Sequence, residues 1–547
     1  MTGLVTRAEA WLAQDPDETT RAELRALLDA GDEIALADRF DSRLAFGTAG
    51  LRGELGAGPN RMNRVLVSQA AKGLAAFLLE REASPSIVIG FDGRENSDVF
   101  ARDTAEIMAG AGVRAIVLPR MLPTPVLAFA VRHLDTSAGV MVTASHNPAR
   151  DNGYKVYLGG HDRGSQIVSP SDAEIAEAIA VASETPIGDY ARSTNVETAD
   201  ESVVDEYVAR TASLGPADAA GLKIAYTAMH GVGWEVARRT FVAAGFDEPA
   251  VVAAQIEPDA TFPTVAFPNP EEPGAMDLLL ALAEREGSDV AVANDPDADR
   301  LAIAIPTPDG WRALSGNEIG SLLGWRAAER VTRGEAQGET LAASLVSSPA
   351  LARIAAAYRL DYADTLTGFK WISRVGGLAY GYEEALGYLV DPGKVLDKDG
   401  ISAAVDLLAL AAELKSMGTT IHEHLEAFAE RFGAYASGQI SLRVAELAQI
   451  PLLMARLRAD PPRVIGSLTV ERIDDFRDGF GQFPPSDILR LWLKGGSRVI
   501  VRPSGTEPKL KVYLDAASTD GDAAERIESA GAVIAELEAG MRDILGA

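Results

Sequence analysis

The chain has no cysteine, which excludes disulfides, thiolate catalysis and zinc-thiolate sites and fits a reducing compartment. It is also short of basic residues. Fifty-one lysines and arginines face 79 aspartates and glutamates, a formal charge of −28 that opposes non-specific binding to nucleic acid or to an anionic membrane. An anionic ligand would therefore need basic groups gathered locally. Long apolar runs are missing too: the stretches at residues 278–283 and 407–412 are too short to span a bilayer. There is no low-complexity tract, and 47% hydrophobic with 24% charged residues is an ordinary globular balance, so disorder is not expected. The amino terminus runs from Met1-Thr2-Gly3-Leu4-Val5 into the polar Gln14-Asp15-Pro16-Asp17-Glu18 without a signal-peptide pattern, and the expectation is a cytoplasmic protein.

What is present is a chain of 547 residues, too long for one core; at roughly 150 residues per domain it predicts three or four domains. Residues 5–40 read as two amphipathic helices with acidic exposed faces. A strand-helix-strand order then recurs three times: residues 87–89, 97–110 and 115–118; residues 223–226, 235–244 and 251–253; and residues 341–346, 349–358 and 360–362. Such units predict three related α/β layers with largely parallel sheets. From about residue 435 the pattern changes to a helix near 444–458, strands at 467–470 and 488–493, a Gly495-Gly496 hairpin to 498–501, a last strand at 510–513 and a terminal helix, a separate α+β domain. The expected division is 1–204, 205–317, 318–434 and 435–547.

Four stretches carry chemistry. The apolar run at 138–142 reads as a buried strand that delivers Ser145 to a turn made by Asn147-Pro148, a position that suits a nucleophile or phosphate carrier; on this stretch alone an ordinary turn serine fits equally well. Asn294-Asp295-Pro296-Asp297-Ala298-Asp299-Arg300 lies between two apolar runs, 290–293 and 301–305. Its three carboxylates would point to different faces of a helix, whereas a tight turn can converge them on one hard cation. An EF-hand is excluded, since Arg300 and Pro306 fill its required glycine and glutamate positions. Arg502-Pro503-Ser504-Gly505-Thr506-Glu507-Pro508-Lys509 gathers hydroxyls, amides and two cations in one turn, a composition that fits a phosphate monoester. Phe46-Gly47-Thr48-Ala49-Gly50-Leu51-Arg52-Gly53 is either a weaker anion loop or a plain glycine turn. Residues 365–370 and 381–388 are polar loops after short apolar runs, and either reads equally as surface punctuation. Gly231-Val232-Gly233 follows a strand, but the third glycine of a dinucleotide fingerprint is Val236 here, which argues against that site. His422 and His424 are two apart in a helical stretch, so they diverge and do not share a metal.

Thr143-Ala144-Ser145-His146-Asn147-Pro148, the Asp-x-Asp-x-Asp-Arg run and Arg502-Pro503-Ser504-Gly505-Thr506-Glu507-Pro508, in this order, resemble the α-D-phosphohexomutase family of phosphoglucomutases and phosphomannomutases from about Phe46 to Tyr513. The resemblance implies four domains around one central cleft. It implies a phosphoryl group on Ser145, and Mg²⁺ held by that phosphate with Asp295, Asp297 and Asp299. By the same likeness Lys155 and His146 belong to the catalytic group, Arg52 and Arg300 lie near the transferred phosphate, and Glu384 holds sugar hydroxyls. Arg502, Ser504, Gly505, Thr506 and Lys509 form a distal phosphate clamp, while Thr48, Thr367, Gly368, Lys370 and Glu383 also touch substrate. The implied partner is a small phosphosugar, with no obligate protein partner, and the implied activator is a sugar bisphosphate such as glucose 1,6-bisphosphate. One departure stands out: Glu384-Ala385-Leu386-Gly387-Tyr388 lacks the serine many hexomutases carry in the sugar loop and looks more like the branch of phosphoglucomutase-2-type enzymes and phosphopentomutases, leaving open glucose, mannose or pentose phosphate. A serine hydrolase would need a base paired to Ser145 and shows no Gly-x-Ser-x-Gly, and a non-catalytic sugar-phosphate sensor would need neither Ser145 nor three aspartates.

Overall fold

Short runs in which every residue is buried, Ala138–Val142, Val290–Ala293 and Thr340–Ser344, form strands with a neighbour on either side. Continuous apolar sequence is what a parallel strand covered on both faces requires. Ala138–Val142 and Arg114–Val117 both run parallel to Ser86–Phe91, while Asp151–Leu158 and then the short Leu51–Glu54 add antiparallel. Val290–Ala293 and Ala250–Val251 are parallel to Ile224–Thr227, with Ala302–Thr307 antiparallel beyond. Thr340–Ser344 is parallel to both Asp361–Thr365 and Leu378–Glu383. The last sheet is antiparallel throughout, in the order Ala434–Arg443, Lys509–Ser518, Arg498–Pro503, Leu489–Leu493, Leu468–Asp475, Val464–Ile465. The expected fold class, α/β with mixed, largely parallel sheets followed by an α+β domain, is observed.

The computed structural model describes residues 2–47, 50–219, 221–444, 449–503 and 509–546. They form two units, Met1–Leu314 with Gly387–Lys415, and Ser315–Leu386 with Ser416–Ala547. No helix among the described residues is long and apolar enough to cross a membrane.

Several elements differ from the sequence reading, among them residues 381–388, read as a polar loop, whose two ends lie in strands Leu378–Glu383 and Gly387–Leu389. The two helices expected over 5–40 are three, Thr2–Gln14, Glu18–Ala30 and Glu33–Phe40, because Gly31 ends the second in a left-handed conformation and Asp32 starts the third by accepting the amide of Ala35. The glycine loop of 46–53 ends in a strand, Leu51–Glu54, paired edge to edge with Asp151–Leu158. Ala434–Arg443 is an unforeseen strand, held by a ten-residue ladder to Lys509–Ser518. His424 stacks on Trp325 at 4.4 Å between ring centres, so it serves packing.

Within the second unit, Arg498 and Asp515 face each other across adjacent strands, both buried, with Nε donating to Oδ2 at 2.8 Å, and Arg498 also donates to the carbonyl of Ser347. Removing one member leaves a buried charge unpaired. Arg498→Met is expected to cost about 3–5 kcal/mol of stability, read as a lower midpoint of denaturant unfolding. An unchanged midpoint would show that the pair is not what joins these segments.

Candidate active site

The buried strand Ala138–Val142 ends at Thr143, whose hydroxyl accepts the amide of Ser145 at 2.9 Å, and Asn147 donates back to the Ala144 carbonyl at 3.0 Å. Ser145 itself is held at φ +52°, a left-handed conformation that a side-chain-bearing residue adopts only when its surroundings impose it. This turn aims Oγ at Asp295, donating to Oδ2 at 2.8 Å, and sets it 3.1 Å from Nδ1 of His146. His146 is the next residue in the chain, and the left-handed turn lets its ring meet the serine hydroxyl. Burial, with the charges of Arg300 and Arg52, holds the His146 pKa well below the ordinary histidine value, so the imidazole is neutral.

Asp295, Asp297 and Asp299 project from the turn between strands Val290–Ala293 and Ala302–Thr307, where Ala298 sits at φ +53°. All three are fully buried, and one oxygen from each lies within 4.8 Å of the others. Gly231 makes this packing possible: a Cβ there would stand 2.2 Å from Cα of Pro296. Asp295 accepts the amide of Arg300 at 3.0 Å. Asp297 Oδ2 accepts from Thr124 at 2.6 Å and from Lys155 Nζ at 2.7 Å, and Asp299 Oδ2 from the same Nζ at 2.8 Å, with Lys398 Nζ 3.3 Å away.

Charge in this cluster is incompletely balanced. Burial, then the charges of Asp297 and Asp299, raise the Asp295 carboxyl well above its usual pKa. Burial acts on Asp299 too, but Lys155, Lys398 and Arg300 outweigh it and leave that carboxyl below the ordinary range. Burial penalises the Lys155 ammonium, yet Asp297 and Asp299 more than compensate and raise its pKa, so it stays charged. Oδ1 of Asp297 and Oδ1 of Asp299 are buried with no hydrogen-bond partner. Two bare carboxylate oxygens in a buried all-oxygen cluster beside a serine hydroxyl fit a hard divalent cation.

Two arginines border the cluster. Arg52, on the edge strand and opposite Gly153, reaches Asn147 Oδ1 at 3.3 Å, and burial lowers its pKa against the pull of Asp297 and Asp299. Arg300 lies 3.5 Å from the carboxylate of Glu271. The sequence reading missed Lys398 and Arg94. Lys398 sits in Asp397-Lys398-Asp399-Gly400, where Asp397 accepts from Tyr157 at 2.8 Å and Gln166 at 2.7 Å. The available signal was a polar run opening an apolar helix, Gly400–Ser416, and for Arg94 the Asp92-Gly93-Arg94 turn at the end of Ser86–Phe91, the strand beside the one leading to Ser145.

The second unit holds Thr367, Gly368, Lys370, Glu383, Glu384, Arg502 and Lys509. Glu384 follows strand Leu378–Glu383, its Oε2 accepting from Ser344 and Ser347 at 3.0 Å each, and Glu383 accepts the Gly368 amide at 2.6 Å. Thr367 accepts from Arg502 Nη1, while Arg502 Nε is buried without a partner. Lys370 stands on the short helix Phe369–Ile372, and Lys509 opens strand Lys509–Ser518. Arg502 and Thr367 are thus brought together with the Gly368 turn that Glu383 holds. Thr48, Ser504, Gly505 and Thr506 lie outside the described residues.

A buried serine on a left-handed turn, three buried carboxylates that could hold a cation and two arginines at their border are the components that phosphoryl transfer requires. Family models for Phosphoglucomutase/phosphomannomutase match in sequence order: alpha/beta/alpha domain I at residues 43–185, domain II at 205–310, domain III at 315–432 and the C-terminal domain at 440–531. A probable phosphomannomutase of Haemophilus influenzae is 54% identical over 88% of this chain and 98% of its own. A human phosphopentomutase is 33% identical over 94% and 91%. The fold also matches the crystal structure of a phosphoglucomutase/phosphomannomutase family protein from Burkholderia thailandensis, with a TM-score of 0.70 at 21% identity over 92% of this chain and 97% of that one. The chain belongs to the phosphoglucomutase/phosphomannomutase family.

Proposed function

We propose that the chain is a phosphosugar mutase that interconverts a hexose 1-phosphate and a hexose 6-phosphate, glucose or mannose, through a phosphoserine and a sugar bisphosphate. The observation that carries this reading is Ser145 Oγ at 2.8 Å from Asp295, within a carboxylate cluster that keeps two buried oxygens unpartnered. Asp295, Asp297 and Asp299 with phosphorylated Ser145 would hold Mg²⁺, which would neutralise charge on the phosphoryl group as it leaves the serine.

The chain's own residues account for the remaining steps. The bond between Ser145 Oγ and phosphorus breaks as one forms to the free sugar hydroxyl, and the proton that hydroxyl loses is the one the departing Oγ gains. In the reverse direction Oγ loses its proton, and neutral His146, 3.1 Å away, is placed to take it. Lys155, held charged by Asp297 and Asp299, donates rather than accepts and fixes the orientation of both carboxylates. Arg52 and Arg300 supply the positive charge that a transferring phosphoryl group draws on. The bisphosphate then turns over and returns its other phosphoryl to Ser145, so a trace of glucose 1,6-bisphosphate primes an unphosphorylated protein. Arg502, its Nε unpartnered and its Nη1 on Thr367, offers the charge and donors that a phosphate monoester needs.

Arg502→Ala is therefore expected to weaken glucose 1-phosphate and glucose 6-phosphate alike, each by roughly tenfold or more, since charge-assisted bonds to phosphate are worth about 1.5 to 3 kcal/mol. Calorimetric titration of both monophosphates measures this; loss of only one would mean that the clamp serves a single orientation. The pentose alternative has one structural observation behind it: Leu386, buried at φ +62°, puts an apolar side chain where many hexomutases carry a serine. Assay of hexose and pentose 1-phosphates side by side, with Mg²⁺ and a trace of bisphosphate, decides between them, and no turnover of any would refute the mutase reading. We further propose a division near residues 204, 317 and 434, supported by the four family segments, and a cytoplasmic setting, which rests on the cysteine-free composition.

A further inference from the structure

The guanidinium of Arg94 is buried and ends in four carbonyl oxygens of the serine loop. Nη2 donates to Ser145 and to Asn147 at 2.6 Å each, and Nη1 donates to Pro148 at 2.7 Å and to Asp151 at 3.0 Å. Both terminal nitrogens are spent on backbone, and Nε, which makes no hydrogen bond, faces Asp92. Asp92, also buried, lies 3.6 Å from Nε; it accepts the Arg94 amide at 3.0 Å and the Ser97 hydroxyl at 2.7 Å. The ring of Phe262 lies under the guanidinium at 4.9 Å.

This is an expensive arrangement to keep for an ordinary turn. Burying an arginine costs several kcal/mol unless its hydrogen bonds are completed, and here one side chain completes four of them on seven consecutive residues. Those residues include Ser145, whose left-handed φ of +52° needs outside support, and Asn147, whose side chain meets Arg52. Arg94 holds the carbonyl of Ser145 while Oγ of the same residue meets Asp295.

Resting on the mutase reading above, we propose that Arg94 is the positioning residue of the phosphoryl carrier: by collecting the carbonyls of Ser145, Asn147, Pro148 and Asp151 it holds the left-handed serine turn and so aims Oγ at the carboxylate cluster. Its terminal nitrogens all end on backbone carbonyls, so its loss should spare binding and slow transfer. Lysine at this position keeps the charge facing Asp92 but concentrates its donors on one atom, which cannot span two pairs of carbonyls.

The test is Arg94→Lys in the full chain, read by steady-state kinetics with glucose 1-phosphate and by hydrogen exchange of the amides of residues 143–151. The expected result is a kcat lower by about a hundredfold, the loss that follows a displacement of the reacting group by about 1 Å, with KM little changed and faster exchange confined to that segment. Wild-type kcat with wild-type exchange overturns the proposal, and so does an activity loss accompanied by faster exchange throughout the chain, which would mark a merely structural role. If Arg94→Lys fails to fold, Asp92→Asn, which loosens the guanidinium from the other side, carries the test with the same local signature expected and the same contrary outcomes. Should the wild-type chain turn over no phosphosugar, the mutase reading fails by itself, and local exchange still decides whether Arg94 holds the turn.

Discussion

Ser145→Ala is expected to lower turnover by roughly 10⁴-fold or more, as removal of a covalent nucleophile does where no neighbour replaces it. The structure supports a loss of that size because the position of Oγ depends on several features at once. The buried strand Ala138–Val142 delivers it, the left-handed turn aims it, and Asp295 and His146 receive it at 2.8 and 3.1 Å. His146 is not a substitute carrier in this arrangement, since its ring is oriented by the very hydroxyl that the substitution deletes. The fold should survive, since the change removes one oxygen and retains the backbone that Arg94 grips. Steady-state assay with glucose 1-phosphate and bisphosphate, alongside thermal unfolding, separates the two effects. Retained activity would move the phosphoryl carrier to another residue.

Asp297→Asn is expected to cut kcat by roughly a hundredfold or more while leaving KM nearly unchanged, because a carboxylate that stabilises charge developing in transfer contributes several kcal/mol to the transition state and little to the ground state. Asp297 is the informative member of the three. Its Oδ2 is already engaged by Thr124 and Lys155, so the oxygen left for a cation is the buried and unpartnered Oδ1. An amide keeps the shape and removes the charge. It also leaves the Lys155 ammonium with Asp299 as its remaining carboxylate partner of the two, so the variant should need more Mg²⁺ to reach its own maximal rate. Kinetics as a function of Mg²⁺ concentration reads both effects. A raised KM at unchanged kcat would mean that the cluster binds substrate directly and holds no catalytic ion.

Much of this site was legible in the sequence because its two centres are local features. Ser145 and the three aspartates each occupy a short turn beside apolar strands, and such turns expose polar groups at fixed points of a rigid sheet. The hard-cation reading of the aspartates and the nucleophile reading of Ser145 came from the residues themselves, the phosphoserine and Mg²⁺ from the family resemblance, and the geometry supplies the hydrogen bonds on which those roles can be tested. What escaped was long-range. Arg94 meets its carbonyls 51 to 57 residues away, and Lys398 meets Asp299 across the loop that Asp397 ties to Tyr157 and Gln166; nothing in the residues around either one announces a partner. Leu51–Glu54, a four-residue edge strand, was hidden inside a glycine-rich stretch, which changes Arg52 from a loop side chain to one set opposite Gly153. Ala434–Arg443 escaped for another reason: Gly438, Ala436 and Ser437 are weak strand formers, and the ladder to Lys509–Ser518 overrides that preference.

The central claim is that Ser145 carries the phosphoryl group, and it is tested most directly by exposing the dephosphorylated protein to glucose 1,6-bisphosphate with Mg²⁺, quenching in acid and locating the added phosphate by peptide mass spectrometry. The account predicts one phosphoryl group, on the peptide containing Thr143 to Pro148 and on Ser145 within it, which disappears when glucose 6-phosphate is added before the quench. A phosphoryl group on any other residue, or none on Ser145 while the protein turns over sugar phosphate, would contradict it.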